Sequence, residues 1–198
     1  MLGKNHMVAH VCSVALISCG MTLLSHTNFG TEFSSHITNQ MRILVVLPHN
    51  DIPNFVWYVG CVLLFIIGTW LPDIDNKNSI LGRFIHLPIE HRTWTHTIWV
   101  LILIFGISIW YRMLFWLGFG YFLHLCWDSI SYGGVCWFYP ISQYMTYPNG
   151  AKIKKKHIFK IYRAGKASEY VLIGVLATIT VIIVAFTLYV YFVSDVLH

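Results

Sequence analysis

The chain has 198 residues, of which 57% are hydrophobic and only 11% charged. An average soluble domain carries about 25% charged residues, so this composition excludes a disordered chain, a coiled coil and an ordinary cytosolic enzyme. It points to an integral membrane protein, and one domain's length leaves room for about five spans of roughly 20 residues each.

The first apolar run, 7–24, follows Lys4. It resembles a signal peptide, but no A-x-A cleavage site follows, so it reads as an uncleaved first span. Residues 41–47 are apolar but too short to cross, and read as part of an interfacial loop. The runs 54–71, 94–110, 113–130 and 170–193 read as the second to fifth spans, with Tyr111-Arg112 marking a tight turn between the third and fourth. Continuous apolarity without a period of two favours helices over a β-barrel. The predicted fold is an all-α integral membrane protein, a bundle of about five transmembrane helices forming a single membrane domain. It divides into a core over 1–142, a basic cytoplasmic loop over 143–168 and a last transmembrane helix over 169–194. Thr93 or Thr95 is the predicted N-cap of the third span, and Glu169 is expected to cap the fifth. Tryptophans and tyrosines gather at span ends, as in an interfacial aromatic belt.

The net charge is +5, from 13 Lys plus Arg against 8 Asp plus Glu. These charges lie between the apolar runs, where they set orientation in a bilayer rather than bind nucleic acid. With five spans, one side holds Lys4, Lys77, Arg83, Arg92, Lys152, Lys154, Lys155, Lys156, Lys160, Arg163 and Lys166, and the other only Arg42 and Arg112. That split predicts a cytoplasmic N-terminus and a C-terminus outside. The basic run 151–166 is foremost a topology determinant; it could also grip anionic headgroups.

Asp73, Asp75, Glu90 and Asp128 all fall at the cytoplasmic ends of spans two, three and four. His6, His86, His91, His96 and His124 lie on that side or within about two turns of it. Pro72 stops the second span, and Asp73 and Asp75 then sit on irregular backbone, where alternate residues can point at one centre. His124 and Asp128 are four apart and share a helix face; an ionisable pair in a membrane helix faces the interior and has a partner. Each residue alone reads as a core histidine or a helix stop. Together, His6, His91, His96, His124, Asp73, Asp75 and Asp128 converge from four elements on one membrane face, as a zinc or manganese site requires. Seven candidates exceed the four ligands of one tetrahedral ion, so some orient ligands from behind or two ions share the site. The five cysteines show no C-x-x-C spacing and read as small core residues.

These residues resemble a known family, the YdjM-like membrane-bound metal-dependent hydrolases of bacterial inner membranes. The resemblance rests on Asn5-His6, Leu71-Pro72-Asp73-Ile74-Asp75, Ser79, Gly82-Arg83, His91 to His96, His124 to Asp128, Gly133-Gly134 and Tyr139-Pro140-Ile141-Ser142, in that order. It runs over about 5–142, with the basic loop and last span outside it. Asn5, Asn76 and Tyr139 depart from the commoner Thr, His and Trp.

The resemblance implies a divalent-metal hydrolase of the inner membrane, with one or two ions, zinc foremost and manganese or iron as alternatives. It further implies a phosphoester or phospholipid-like substrate. On this reading Glu90 or an unligated Asp is the general base, and Arg92 or Arg83 binds an anionic oxygen. No H-E-x-x-H and no G-x-S-x-G is present, which argues against a zincin protease and a serine hydrolase. The alternative is a non-catalytic metal-binding membrane protein or an ion transporter. A transporter calls for polar residues at the midplane and often a repeat; here they crowd one face.

Overall fold

The structure, a computed structural model, describes residues 3–25, 54–85, 89, 93–140 and 161–197. The interfacial segment expected at 41–47, His86, Glu90, His91 and Arg92 lie outside the described residues. Within them the chain is helical: α1 (Gly3–Ser25), α2 (Asn54–Trp70), a 3-10 turn (Leu71–Asp75), a second 3-10 turn (Trp94–His96), α3 (Ile98–Ser108), α4 (Leu114–Ser129) and α5 (Ala167–Leu197). The only β pairing among the described residues is an isolated parallel bridge between Ser131 and Tyr162.

Two stretches, Phe55–Asp75 and Ala167–Val190, are long and apolar enough to cross a membrane, while Asn5–Gly20 and Ile98–Ser108 are shorter apolar helices. The described helices thus supply two candidate spans where the sequence predicts five. α1 has 23 residues, but only its Asn5–Gly20 part counts as an apolar helix; for α3 and α4 the reason is length. The 11 residues of α3 rise only about 16 Å and the 16 of α4 about 24 Å, against a hydrocarbon layer of about 30 Å. Pro72 does end α2, as its position predicts. The capping expectation at the third span fails. Thr93 precedes the 94–96 turn and Thr97 precedes α3, but neither makes a side-chain cap bond.

α2 and α4 cross at very close range, and two glycines make this possible. A Cβ on Gly68 would lie 2.1 Å from the Leu117 carbonyl oxygen, and one on Gly120 would lie 2.3 Å from that of Phe65. Close backbone approach through small residues is how helices associate without water to drive them together. α3 packs on α4, α1 packs on α5 and α4, and the two 3-10 turns meet each other. A small apolar core of Leu101, Tyr121, Leu125 and Val135 lies between α3, α4 and the segment after α4. That segment is tied down at two points: the Ile98 N–H donates to the Trp137 carbonyl (2.8 Å), and the Tyr132 N–H to that of Tyr162 (3.0 Å). Along α5, Val171, Val175, Val181, Ile182, Phe186 and Tyr189 are exposed, which suits a lipid-facing surface.

Candidate metal centre

Three elements meet where α2 ends. The first is the Leu71–Asp75 turn. Its shape depends on Ser79, whose hydroxyl donates to the Asp73 carbonyl (2.6 Å) and accepts from the Gly82 N–H (2.9 Å). Gly82 is required there, because a Cβ would lie 2.0 Å from the Asn76 carbonyl oxygen. This loop holds Asp73 beside α4.

The second element is α4, which presents His124 and Asp128 from one face. His124 Nδ1 lies 2.7 Å from the Thr69 carbonyl. A carbonyl only accepts, so Nδ1 carries the proton and Nε2 of the neutral ring bears the lone pair.

The third is the Trp94–His96 turn. The Thr95 hydroxyl donates to Asp75 Oδ2 (2.6 Å), and Thr95 Oγ1 itself lies 3.0 Å from His96 Nδ1. The hydroxyl has one proton and gives it to the carboxylate. His96 Nδ1 is therefore the donor to Thr95, and its Nε2 also bears a lone pair. Tyr121 steadies the turn by donating its hydroxyl to the Thr95 carbonyl.

Both lone pairs face carboxylates. His96 Nε2 is 3.4 Å from Asp128 Oδ2 and 3.7 Å from Asp73 Oδ1, and His124 Nε2 is 3.7 Å and 3.6 Å from the same two oxygens. Lone pairs aimed at anionic oxygens repel unless a proton or a metal cation lies between them, and these spacings of 3.4–3.7 Å are longer than the roughly 2.7–3.2 Å of a proton-bridged N–H···O contact. A tetrahedral ion about 2.1 Å from each donor sets its ligands about 3.4 Å apart, close to the spacings found. The ligand atoms of Asp73, His96, His124 and Asp128 all lie within 4.8 Å of one another. The donor set, two imidazoles and two carboxylates, suits zinc, manganese or iron. His96, His124 and Asp128 are buried, whereas Asp73 is 16% exposed and opens the group to its surroundings.

Of the residues singled out in the sequence, His6, Asp73, His96, His124 and Asp128 come together. His6 arrives from α1, with Nε2 3.4 Å from Asp128 Oδ1 and its ring stacked on His124 at 4.3 Å. Asp75 stands one step back, 3.9 Å from His96 Nδ1 and linked to it through Thr95. Arg83 is exposed, and no ion pair joins it to the group among the described residues. His91, Glu90 and Arg92 lie outside the described residues.

Sequence reasoning missed His10, which is fully buried with its ring 5.5 Å from that of His6 and 6.0 Å from that of His124. The signal was present: His6 and His10 are four apart, the same spacing that singled out His124 and Asp128. It also missed the pairing of α1 with α5. The buried Asn5 amide donates to Glu169 Oε1 (2.9 Å), while Glu169 Oε2 accepts from the Gly165 N–H just before α5. Glu169 thus closes the start of α5, as predicted, and also secures the residue next to His6.

Among the described residues the protein is helical, with two candidate membrane spans and a buried histidine–aspartate group where α2 ends. The chain matches the family model described as "YdjM inner membrane protein" over residues 21–194, and it belongs to that family. The match includes the basic segment and α5, so the resemblance extends further along the chain than its motifs suggest, and it leaves His6 and His10 outside. No curated protein and no solved structure matches the chain.

Proposed function

We propose that this inner-membrane protein is a metal-dependent hydrolase acting on a phosphoester or phospholipid-like substrate at the cytoplasmic face. The observation that carries the reading is the set of 3.4–3.7 Å spacings between two oriented imidazole nitrogens and two carboxylate oxygens. Asp73, His96, His124 and Asp128 would hold the ion. When bound, a divalent ion polarises an ester oxygen and acidifies a water molecule.

The chain's own residues do the rest. The Thr69 carbonyl and the Asp75–Thr95 pair fix which nitrogen of each histidine faces the centre. Asp73, the partly exposed member, lies where substrate would enter. Arg83 lies exposed beyond the 71–75 turn, available to an anionic oxygen. The parts assigned to Glu90 as base, Arg92 as anion-binding group and His91 as a further ligand rest on the sequence alone. Hydrolysis breaks one P–O bond with one water, leaving an alcohol and a phosphate that keeps the new oxygen. In the bilayer, α1, α2 and α5 with the α3–α4 hairpin make up a five-span bundle, N-terminus inside and C-terminus outside. Nucleic acid has no part in the reading, and membrane lipid is the expected surrounding and substrate source.

The test is metal analysis of detergent-purified protein, followed by assay against a chromogenic phosphodiester and a diacyl phospholipid in mixed micelles. Bound zinc, manganese or iron is expected, with hydrolysis of one of the two substrates that chelation abolishes. Asp128→Asn should lower both metal content and rate by at least about 100-fold, since it removes a ligand rather than a supporting group. Stoichiometric metal without hydrolysis of either substrate would replace the hydrolase with a metal-binding membrane protein. Absence of metal would remove the centre altogether.

A further inference from the structure

Asp128 faces two ways. Its Oδ2 lies toward His96 and His124, at 3.4 and 3.7 Å, while its Oδ1 lies 3.4 Å from His6 Nε2 on the other side. The His6 and His124 rings are stacked with an interplanar angle of 6°, so two parallel imidazoles address one carboxylate, one at each oxygen. The His6 spacing exceeds an ordinary N–H···O hydrogen bond of about 2.7–3.2 Å. It matches the donor spacing around the first centre.

Behind His6 is His10, one turn along the same helix face and fully buried. One of its nitrogens points toward the Leu123 backbone, yet neither completes a hydrogen bond, and His6 Nδ1 completes none either. Buried polar atoms are nearly always satisfied, and an unsatisfied one is costly. A ring with one nitrogen turned toward the backbone and the other toward a neighbouring donor is also how ligand histidines are oriented. The ligand atoms of His6, His10 and His124 lie within 4.8 Å of one another. The buried Asn5–Glu169 bond holds the first turn of α1 in place.

We propose that His6 and His10 hold a second divalent cation beside the first, with the Asp128 carboxylate bridging the two. This rests on the metal-centre reading above and deepens it. Two ions sharing a carboxylate sit about 3.5–4 Å apart and together clamp the attacking and leaving oxygens of a phosphoester. His6 and His10 lie on α1 and precede the residues matched by the family model.

The experiment loads the full-length protein in detergent with zinc alone, then manganese alone, and counts ions per chain after desalting. Two ions are expected in the unmodified protein and one in His10→Gln. One ion in both, lost in His124→Ala but untouched by His10→Gln, would overturn the second position and leave the first centre standing. No ion in the unmodified protein would overturn both. Electron paramagnetic resonance of the unmodified, manganese-loaded protein guards against a misfolded variant. Two bridged manganese ions give an exchange-coupled multiline spectrum, whereas only the six-line signal of isolated ions at every loading would overturn the proposal.

Discussion

Thr95 couples two groups with a single hydroxyl. It donates to Asp75 and accepts from His96, so the buried carboxylate fixes the tautomer of an imidazole it does not itself touch at bonding distance. Valine has nearly the same shape and neither hydrogen bond. Thr95→Val should weaken metal binding by about 10–100-fold, the usual effect of losing a group that orients a ligand, and Thr95→Ser should restore it. A competition titration against a chelating dye reads the affinity, and circular dichroism shows that the helices remain. Equal affinity in Thr95→Val would mean that Asp75 does not act on His96. At this scale the sequence was informative for residues whose partners are near in the chain. His124 with Asp128, and Asp73 after Pro72, follow from helical spacing and a helix stop. Thr69 could not be found in that way, because its contribution is a backbone carbonyl that any residue carries.

The centre also depends on the register between α2 and α4. Asp73 follows α2, while His124 and Asp128 belong to α4, so any separation of the two helices pulls the carboxylate away from the imidazole. Gly68 and Gly120 each abut a backbone carbonyl of the other helix, which cannot swing aside as a flexible side chain would. Gly68→Ala and Gly120→Ala should each destabilise the protein by about 1–3 kcal/mol and lower bound metal. Gly174→Ala on α5, where a Cβ meets nothing within 4 Å, should change neither. Thermal unfolding in detergent with metal analysis of the same samples checks this, and unchanged metal content in both glycine variants would show that the register is set elsewhere. The apolar runs marked these helices, but not which pair would cross so tightly. That choice depends on two glycines fitting a partner's backbone, and a single run of sequence carries no trace of the partner.

For the whole molecule, the short α3–α4 hairpin bears on the depth of the centre in a bilayer. The turn between α3 and α4 stands level with the early part of α2, because a Cβ on Gly60 would meet the Met113 side chain. Trp110 and Tyr111 are exposed at that turn, and Tyr58 is exposed on α2 nearby, which makes an aromatic belt at one level. Arg112, in the same turn, is exposed and charged, and is expensive to keep in hydrocarbon. This level therefore suits a membrane interface, the outer one in the orientation proposed above. From Tyr58 to Asp73 the chain rises about 22 Å at 1.5 Å per residue, which is about 8 Å short of a 30 Å hydrocarbon layer. In the proposed orientation the centre would lie just beneath the cytoplasmic edge, reached past the partly exposed Asp73, at a depth that would suit a lipid headgroup drawn slightly inward. In the proposed bundle the hairpin returns to its starting side, which would leave the termini on opposite faces. Arg112→Cys should accordingly react with a membrane-impermeant maleimide added outside intact cells, against a parent whose own cysteines stay unlabelled. A reporter fused after His198 should register the outside. Labelling of Arg112→Cys only after the cells are opened would place the turn inside and invert the orientation that the basic residues predict.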